Sequence, residues 1–106
     1  MQWYAVGILQ DVRMGPPIVE YLERIDATLA PFGGHFVVHG GDPKVLEGDS
    51  PGAFIVIEFP DEEHAAGWYD SPSYRQILPL RTENSRSQVF LVPGVDRAHL
   101  ATDVLG

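Results

Sequence analysis

Most of the side chains that could do chemistry lie in one segment of this chain, between Phe54 and Arg81. The segment brings a carboxylate, aromatic rings, hydroxyls and a cation close together along the sequence. Such a set could bind a small carbonyl or carboxylate compound and transfer a proton without a cofactor. No spacing in it specifies a reaction, so the sequence leaves open whether the protein is an enzyme. The candidate catalytic residues are Glu58 and His39, and the candidate ligand-binding residues are Tyr69, Tyr74, Arg81, His35 and Trp68.

Glu58 ends an apolar run and alternates with Phe54 and Val56, so the three share one face of a strand. A carboxylate among apolar side chains needs a partner, because an unpaired buried charge is costly. Glu58 could act as a general base or ligand anchor. It could instead have a structural role, as an ion pair with Arg81 or a histidine or as a carboxylate simply exposed at the strand end, and this structural role is the more common one.

Two histidines, His35 and His39, are predicted to lie on the same face of a short strand with Val37 between them. At ~3.3 Å per residue they are about 13 Å apart, too far for one metal ion to bridge, and we expect no metal site. His39 lies beside a glycine turn, where it could face a ligand and exchange protons near neutral pH.

The helical part of the segment carries the remaining candidates. Trp68 and Tyr69 are about 100° apart on a helix, so one could pack in the core while the other borders a cleft, or both could be core aromatics. Tyr74 and Arg81 share a helix face if the helix is continuous, although Pro79 removes one backbone N–H between them. Arg81 could receive a carboxylate ligand, pair with Glu58 or bind a helix C-terminus.

Composition limits the classes of function. The 106 residues suit one domain, which we place at 1–95 with a C-terminal extension at 96–106. The net charge of -8, without a Lys/Arg cluster, argues against nucleic acid or an anionic membrane surface as a partner. No apolar run approaches the ~18 residues of a membrane span, and the first residues read as a strand, so we expect a cytoplasmic protein. The sequence contains no cysteine, which excludes disulfides, thiolate metal sites and a cysteine nucleophile. We also expect no cofactor.

Periodicity and turn residues predict the elements that position these side chains. Apolar residues at three- and four-residue spacing predict a helix that begins at the Pro16-Pro17 pair, and Asp61 is a predicted helix cap. The glycine turn after His39 is predicted to lead into a strand continuation at 44–47. The predicted strands are 2–9, 35–39, 53–59 and 88–92, and the predicted helices are 16–29, 61–70 and 73 to about 83.

The order β-α-β-β-α-β predicts an α+β protein with a ferredoxin-like fold, in which helices cover one face of an antiparallel sheet. Both faces of the first and third strands are apolar, and the helices can cover only one of them. We therefore predict a homodimer that packs sheet to sheet. The tail after Val95 could form a short helix on the partner subunit, or it could be frayed.

Several motifs of the chain, in order and spacing, resemble the proteins of domain of unknown function family 1330 over about residues 3 to 95. They are Phe32-Gly33-Gly34, Gly40-Gly41, Val45-Leu46-Glu47-Gly48, Val56-Ile57-Glu58-Phe59-Pro60, Trp68-Tyr69-Asp70-Ser71-Pro72-Ser73-Tyr74 and Leu80-Arg81. The resemblance implies a dimeric α+β barrel, a fold also found in cofactor-free monooxygenases and lactone isomerases, but no established activity. Family members often carry arginine where this chain has His35 and His39, which implies a weaker and pH-dependent hold on any anion here.

Two functions from different classes follow. In the first, a pocket between the sheet and the second helical region, lined by Tyr69, Tyr74, His39, Glu58 and Arg81, binds a small carbonyl or carboxylate compound and supports cofactor-free acid-base chemistry. In the second, the protein is a non-catalytic dimeric binding or structural module in which the same residues stabilise the fold.

Overall fold

The computed structural model describes residues 1–106 as one four-stranded sheet with three helices. The strands are β1 (Trp3–Gln10), β2 (His35–Val38), β3 (Ala53–Phe59) and β4 (Arg86–Pro93). The helices are α1 (Pro16–Leu29), α2 (Glu62–Asp70) and α3 (Pro72–Thr82), with short 3-10 turns at Ala30–Phe32 and Ala101–Leu105.

The sheet has the strand order β2-β3-β1-β4, and every neighbouring pair is antiparallel. The buried sheet residues Ala5, Ile57 and Phe59 share one face and form a single core with buried residues of all three helices. This arrangement confirms the predicted α+β, ferredoxin-like fold, including the central position of β3.

Local signals fix the ends of the helices. Two prolines open α1, where their missing N–H groups cost nothing, and Gly33, with φ 68°, turns the chain towards β2. Asp61 caps α2 by accepting a hydrogen bond from the backbone N–H of His64 at 2.9 Å. Ser71 separates α2 from α3 and caps α3 through the N–H of Tyr74. The helix α3 continues through Pro79.

The predicted strand continuation at Lys44–Glu47 is wrong. These residues lie in an irregular, exposed loop between Val38 and Ala53, and β2 is only four residues long. The pairing of β2 with β3 also shifts register between Phe36 and Val38. Because Gly40 and Gly48 have positive φ, the loop does not stay extended after the bulge.

The sheet face away from the helices carries alternate residues of each strand, among them Val6, Val56 and Phe90 in one cross-strand row. Phe90 and Val92 are exposed on this face. No helix of the structure packs on it, so an apolar sheet face is left open to solvent.

The segment after β4 ends in the short turn Ala101–Leu105, whose residues are all exposed. None of the three helices is both long and apolar enough to cross a bilayer.

Candidate functional site

An apolar cavity of about 80 Å³ lies between the helical layer and the sheet. Helices α1 and α3 form one wall, and residues of all four strands or their ends form the other. Apart from Gly7, His39 and Arg81, every residue that lines the cavity is hydrophobic or aromatic. Any polar recognition inside it therefore depends on very few groups.

Arg81 is the buried cation of this cavity. It lies in the last turn of α3 and is only 4% exposed. Its guanidinium donates a hydrogen bond of 2.5 Å from Nη1 to the hydroxyl of Ser87 on β4. No ion pair of the structure includes Arg81, so its positive charge has no carboxylate partner. A buried arginine in this state is costly to the fold and well suited to an anion.

Two tyrosines line the cavity with Arg81, and the three side chains, together with Ser87, form what we call the polar end of the cavity. The hydroxyls of Tyr21 on α1 and Tyr74 on α3 share a hydrogen bond of 2.7 Å, and both side chains are buried. The guanidinium carbon of Arg81 lies 5.9 Å from the centre of the Tyr21 ring. Since tyrosine hydroxyls can both donate and accept, the pair can turn one donor towards an oxygen atom in the cavity.

The electrostatics follow from burial. Burial raises the pKa of Tyr21, and the Tyr74 hydroxyl adds to that effect, so Tyr21 stays neutral. Burial alone would lower the pKa of Arg81, but the oxygens of Tyr74 and Tyr21 outweigh this and hold it above the ordinary value. The cavity therefore contains a permanent cation beside the neutral hydroxyl of Tyr21.

His39 lines the cavity from the loop after β2. Its ring stacks on Phe36, with 4.3 Å between ring centres, and Phe36 packs against the core. His39 is exposed, so it borders both the cavity and solvent. It is the one histidine on the cavity wall, and its imidazole is the only general acid-base group of that type there.

Trp68 also contributes to the cavity wall, but its polar atom already forms a hydrogen bond within the protein. The side chain is 2% exposed, and its indole Nε1 donates to the hydroxyl of Thr28 at 3.0 Å. It also packs against Phe59 and Tyr74. Trp68 therefore supplies a rigid apolar surface.

The model of the family described as "Domain of unknown function (DUF1330)" matches residues 2–95. The chain belongs to the DUF1330 family. No curated protein matches the DUF1330 chain.

Solved structures show that the fold of this DUF1330 protein recurs at low sequence identity. A protein of unknown function from Rhodopseudomonas palustris has a TM-score of 0.68 and 15% identity, over 90% of this chain and 83% of that one. A dimeric ferredoxin-like protein of unknown function from Jannaschia sp. CCS1 has a TM-score of 0.69 and 12% identity, over 89% and 100%. SnoaB, a cofactor-independent oxygenase from Streptomyces nogalater, has a TM-score of 0.53 and 17% identity, over 92% and 94%.

In the DUF1330 chain, Glu58 and Arg81 do not meet. Glu58 alternates with Ile57 and Phe59 along β3, and those two residues face the helices, so Glu58 faces the open side of the sheet. Arg81 lies on the helical side. The predicted Glu58–Arg81 pair and the predicted place of Glu58 in the pocket are therefore wrong.

The histidines are also separated, which corrects their predicted common face. His35 pairs in register with Glu58 on the open side, where its Nε2 lies 3.6 Å from the carboxylate. The bulge between Phe36 and Val38 shifts the alternation of side chains, and His39 lies with Phe36 on the helical side. No group of three or more His, Cys, Asp or Glu side chains is placed to hold a metal ion.

Tyr69 lies outside the cavity. It borders a separate groove between α2 and β4, together with Asp70 and Leu91. The guanidinium of Arg75 lies over its ring at 4.9 Å. Of the residues predicted from sequence, the structure brings His39, Trp68, Tyr74 and Arg81 together at the cavity and places Glu58, His35 and Tyr69 elsewhere.

Two residues of the polar end, Tyr21 and Ser87, were not predicted. Tyr21 reads as one more apolar position of α1, although a tyrosine among buried aliphatic residues signals a hydroxyl that needs a partner. Ser87 lies in the part of β4 before the predicted strand, and nothing in the sequence connects it with Arg81.

Proposed function

We propose that this protein binds a small carboxylate or carbonyl compound in the cavity between the sheet and helices α1 and α3. The observation that carries the proposal is Arg81, a buried cation without a carboxylate partner on the wall of an apolar cavity. A ligand oxygen placed against the guanidinium would supply the missing anionic or dipolar partner. The hydroxyl of Tyr21 or Tyr74 would donate a second hydrogen bond to it.

The size of the cavity limits the ligand. An engineered apolar cavity of about 150 Å³ holds benzene. At about 80 Å³, this cavity holds only a small, slim compound unless side chains at its mouth move. A short aliphatic acid or oxo acid fits this description, with its carbon chain against the apolar walls, and five-carbon acids such as valerate need side chains at the mouth to move.

Binding is tested by titrating the isotope-labelled protein with valerate and with 1-pentanol, followed by NMR chemical shifts. We expect valerate to bind more tightly, because only its carboxylate can pair with Arg81. The variant Arg81→Met should lose this preference, while Arg75→Met, on an exposed turn of the same helix, should keep it. Equal affinity of the wild-type protein for the acid and the alcohol would refute the role of Arg81.

His39 is the proposed proton-transfer group for an oxo acid bound in this way. Its neutral imidazole would accept a proton from the carbon next to the carbonyl, and Arg81 with a tyrosine hydroxyl would stabilise the enolate oxygen. Return of the proton to the same carbon completes a hydrogen exchange, and delivery of the proton to the enolate oxygen gives the enol; neither step needs a cofactor. Glu58 has no part in this scheme, since it lies on the other face of the sheet. The fold is shared with a cofactor-independent oxygenase, a likeness that supports the fold and leaves the reaction to be tested.

The exchange of deuterium into 2-oxovalerate, followed by proton NMR, tests His39. We expect the protein to accelerate exchange next to the carbonyl, His39→Gln to remove the acceleration, and His35→Gln, on the opposite face, to keep it. Acceleration that survives in His39→Gln would exclude His39 as the proton acceptor.

The proposed assembly is a homodimer that covers the open face of the sheet. Phe90 and Val92 would be buried there, and one protein of similar fold is dimeric. Light scattering of Val92→Lys tests this assembly against Val19→Lys, a control at a comparably exposed valine on α1. We expect Val92→Lys to be monomeric and Val19→Lys to remain dimeric, because only the first places a charge in the interface. A monomeric wild-type protein at micromolar concentration would contradict the dimer.

One observation favours the non-catalytic alternative. The hydroxyls of Tyr21 and Tyr74 satisfy each other, and Arg81 has Ser87, so the cluster is internally hydrogen-bonded. In a purely structural role, it would tie α1, α3 and β4 together. Saturable binding of valerate in the cavity would exclude a purely structural role for this cluster.

A further inference from the structure

Gly7 lies in the middle of β1, an inner strand, and faces the cavity. Its neighbours across the sheet are Ile55 and Val89, which also line the cavity. The same face of β1 carries Ala5 and Leu9, both with side chains against the helical layer. Glycine inside a strand destabilises it relative to alanine, so its presence at this position calls for a reason.

Backbone conformation and packing do not supply that reason. Gly7 is not among the residues with positive φ. A Cβ atom placed on it would meet the Cδ1 atom of Leu9 at 3.5 Å and the Cβ atom of Ile55 at 3.8 Å, which are ordinary contacts. Gly34 differs, since its Cβ atom would lie 2.6 Å from the ring of Phe59. The fold requires glycine at 34 and tolerates alanine at 7.

We propose that Gly7 determines which ligands the cavity accepts, by leaving room for the apolar end of the ligand on the floor of the cavity. This inference rests on the proposed function, in which the oxygen atoms of the ligand lie against Arg81. The missing side chain at position 7 enlarges the apolar part of the cavity. A larger residue there would fill the same space.

Strand geometry gives the length of the ligand. Arg81 is hydrogen-bonded to Ser87, and Ser87 pairs with Leu9, two residues along β1 from Gly7. Two residues of an antiparallel strand span about 7 Å. The ligand class is therefore a short, unbranched carboxylate or 2-oxo acid, whose head lies at Arg81 and whose terminal methyl group lies on Gly7.

The test compares pyruvate, 2-oxobutyrate and 2-oxovalerate by NMR titration. In the wild-type protein, affinity should rise about fourfold with each added methylene, because each is buried in the cavity. In Gly7→Ala, pyruvate should bind as before, and 2-oxovalerate should lose at least the fourfold gain of its last methylene. Gly41→Ala is the control, since a Cβ atom there meets nothing within 4 Å. It should bind all three acids as the wild-type protein does.

Thermal unfolding of the same variants separates a functional glycine from a structural one. Gly7→Ala should melt about 2 to 6 °C above the wild-type protein, since alanine stabilises the strand and finds room. A lower melting temperature would mean that the fold itself needs glycine at position 7, and the inference would be wrong.

Xenon binding, detected at the methyl groups of Leu9 and Ile55, reports the space over Gly7 without any oxo acid. We expect binding in the wild-type protein and weaker or no binding in Gly7→Ala and Gly7→Val. If Gly7→Val does not fold, xenon binding to Gly7→Ala alone tests the proposal. Xenon binding without binding of any acid would overturn the proposed function and leave the role of Gly7 in shaping the cavity. Unchanged xenon and oxo acid binding in Gly7→Ala would overturn that role.

Discussion

Replacing Arg81 with methionine separates a ligand-binding arginine from a structural one. The side chain is buried on the cavity wall, has one hydrogen bond to Ser87 and pairs with no carboxylate. Methionine keeps an unbranched, flexible chain that can fill the same space, and it removes only the charged group. The stability of the variant therefore shows whether the fold depends on the cation.

The expected change in the free energy of unfolding is small, because opposing effects cancel. Loss of the charge-assisted hydrogen bond to Ser87 costs about 1.5–3 kcal/mol. Loss of the contact with the Tyr21 ring, at 5.9 Å, costs about 0.5 kcal/mol. Relief of the desolvation of a buried, unpaired cation returns several kcal/mol. We expect Arg81→Met to lie between about 1 kcal/mol less stable and about 2 kcal/mol more stable than the wild-type protein.

Urea unfolding followed by circular dichroism measures this change. Arg75→Met is the control, because Arg75 belongs to the same helix, pairs with Asp70 at 2.9 Å and is exposed. It should change stability by no more than about 1 kcal/mol. A loss above about 3 kcal/mol in Arg81→Met, with Arg75→Met unchanged, is the cost of breaking an essential buried pair. That result would show that the fold depends on the positive charge of Arg81, contrary to our expectation.

Three further outcomes are expected. Trp68→Ala should lose about 3–5 kcal/mol in urea unfolding, because it opens a large cavity and leaves Thr28 without its indole donor. Asp61→Asn should be less stable than the wild-type protein at neutral pH, and the difference should begin to shrink as the pH falls below about 4 and vanish only once the folded protein is protonated at Asp61. The reason is that hydrogen bonds from His64 lower the pKa of Asp61, so its stabilisation is present above the ordinary pKa and lost as the carboxylate is protonated. In an ultraviolet titration, Tyr21 should ionise only as the protein unfolds. Burial raises its pKa, so the stability that it contributes is present below about pH 10 and is lost as the pH rises further.

The sequence predicts most of the fold because its signals are local. The apolar spacing in α1, the cap at Asp61 and the break at Ser71-Pro72 each act within one or two turns of helix, and each lies where it was predicted. The strand predicted at Lys44–Glu47 fails because strand formation depends on a partner strand. Positive φ at Gly40 interrupts the extended conformation before this segment, and the segment pairs with no strand of the sheet.

The sequence predicts the candidate site less well, because the site depends on how distant parts of the chain pack together. Alternation along β3 correctly put Glu58 on the same face as Val56, but both faces of the strand are apolar. The sequence therefore does not show which face the helices cover. The bulge before Val38 then separates His35 from His39, and bulges leave no strong signal in a short strand.

The sequence does contain a signal for Gly7 and Tyr21, because each is an energetically unfavourable residue type at its position unless something compensates. A glycine inside a strand and a tyrosine among buried aliphatic residues both need an explanation. Their common location at the cavity is visible only once α1 is packed on β1. That packing decides which chemical groups meet.

The most direct test of the proposed site is the set of intermolecular NOEs between the wild-type protein and bound 2-oxovalerate. We expect the terminal methyl protons of the ligand to show NOEs to the α-protons of Gly7 and the methyl groups of Ile55, both of which line the cavity. NOEs to Phe90 and Val92 on the open face of the sheet, or none to the cavity at saturating ligand, would contradict the proposed site.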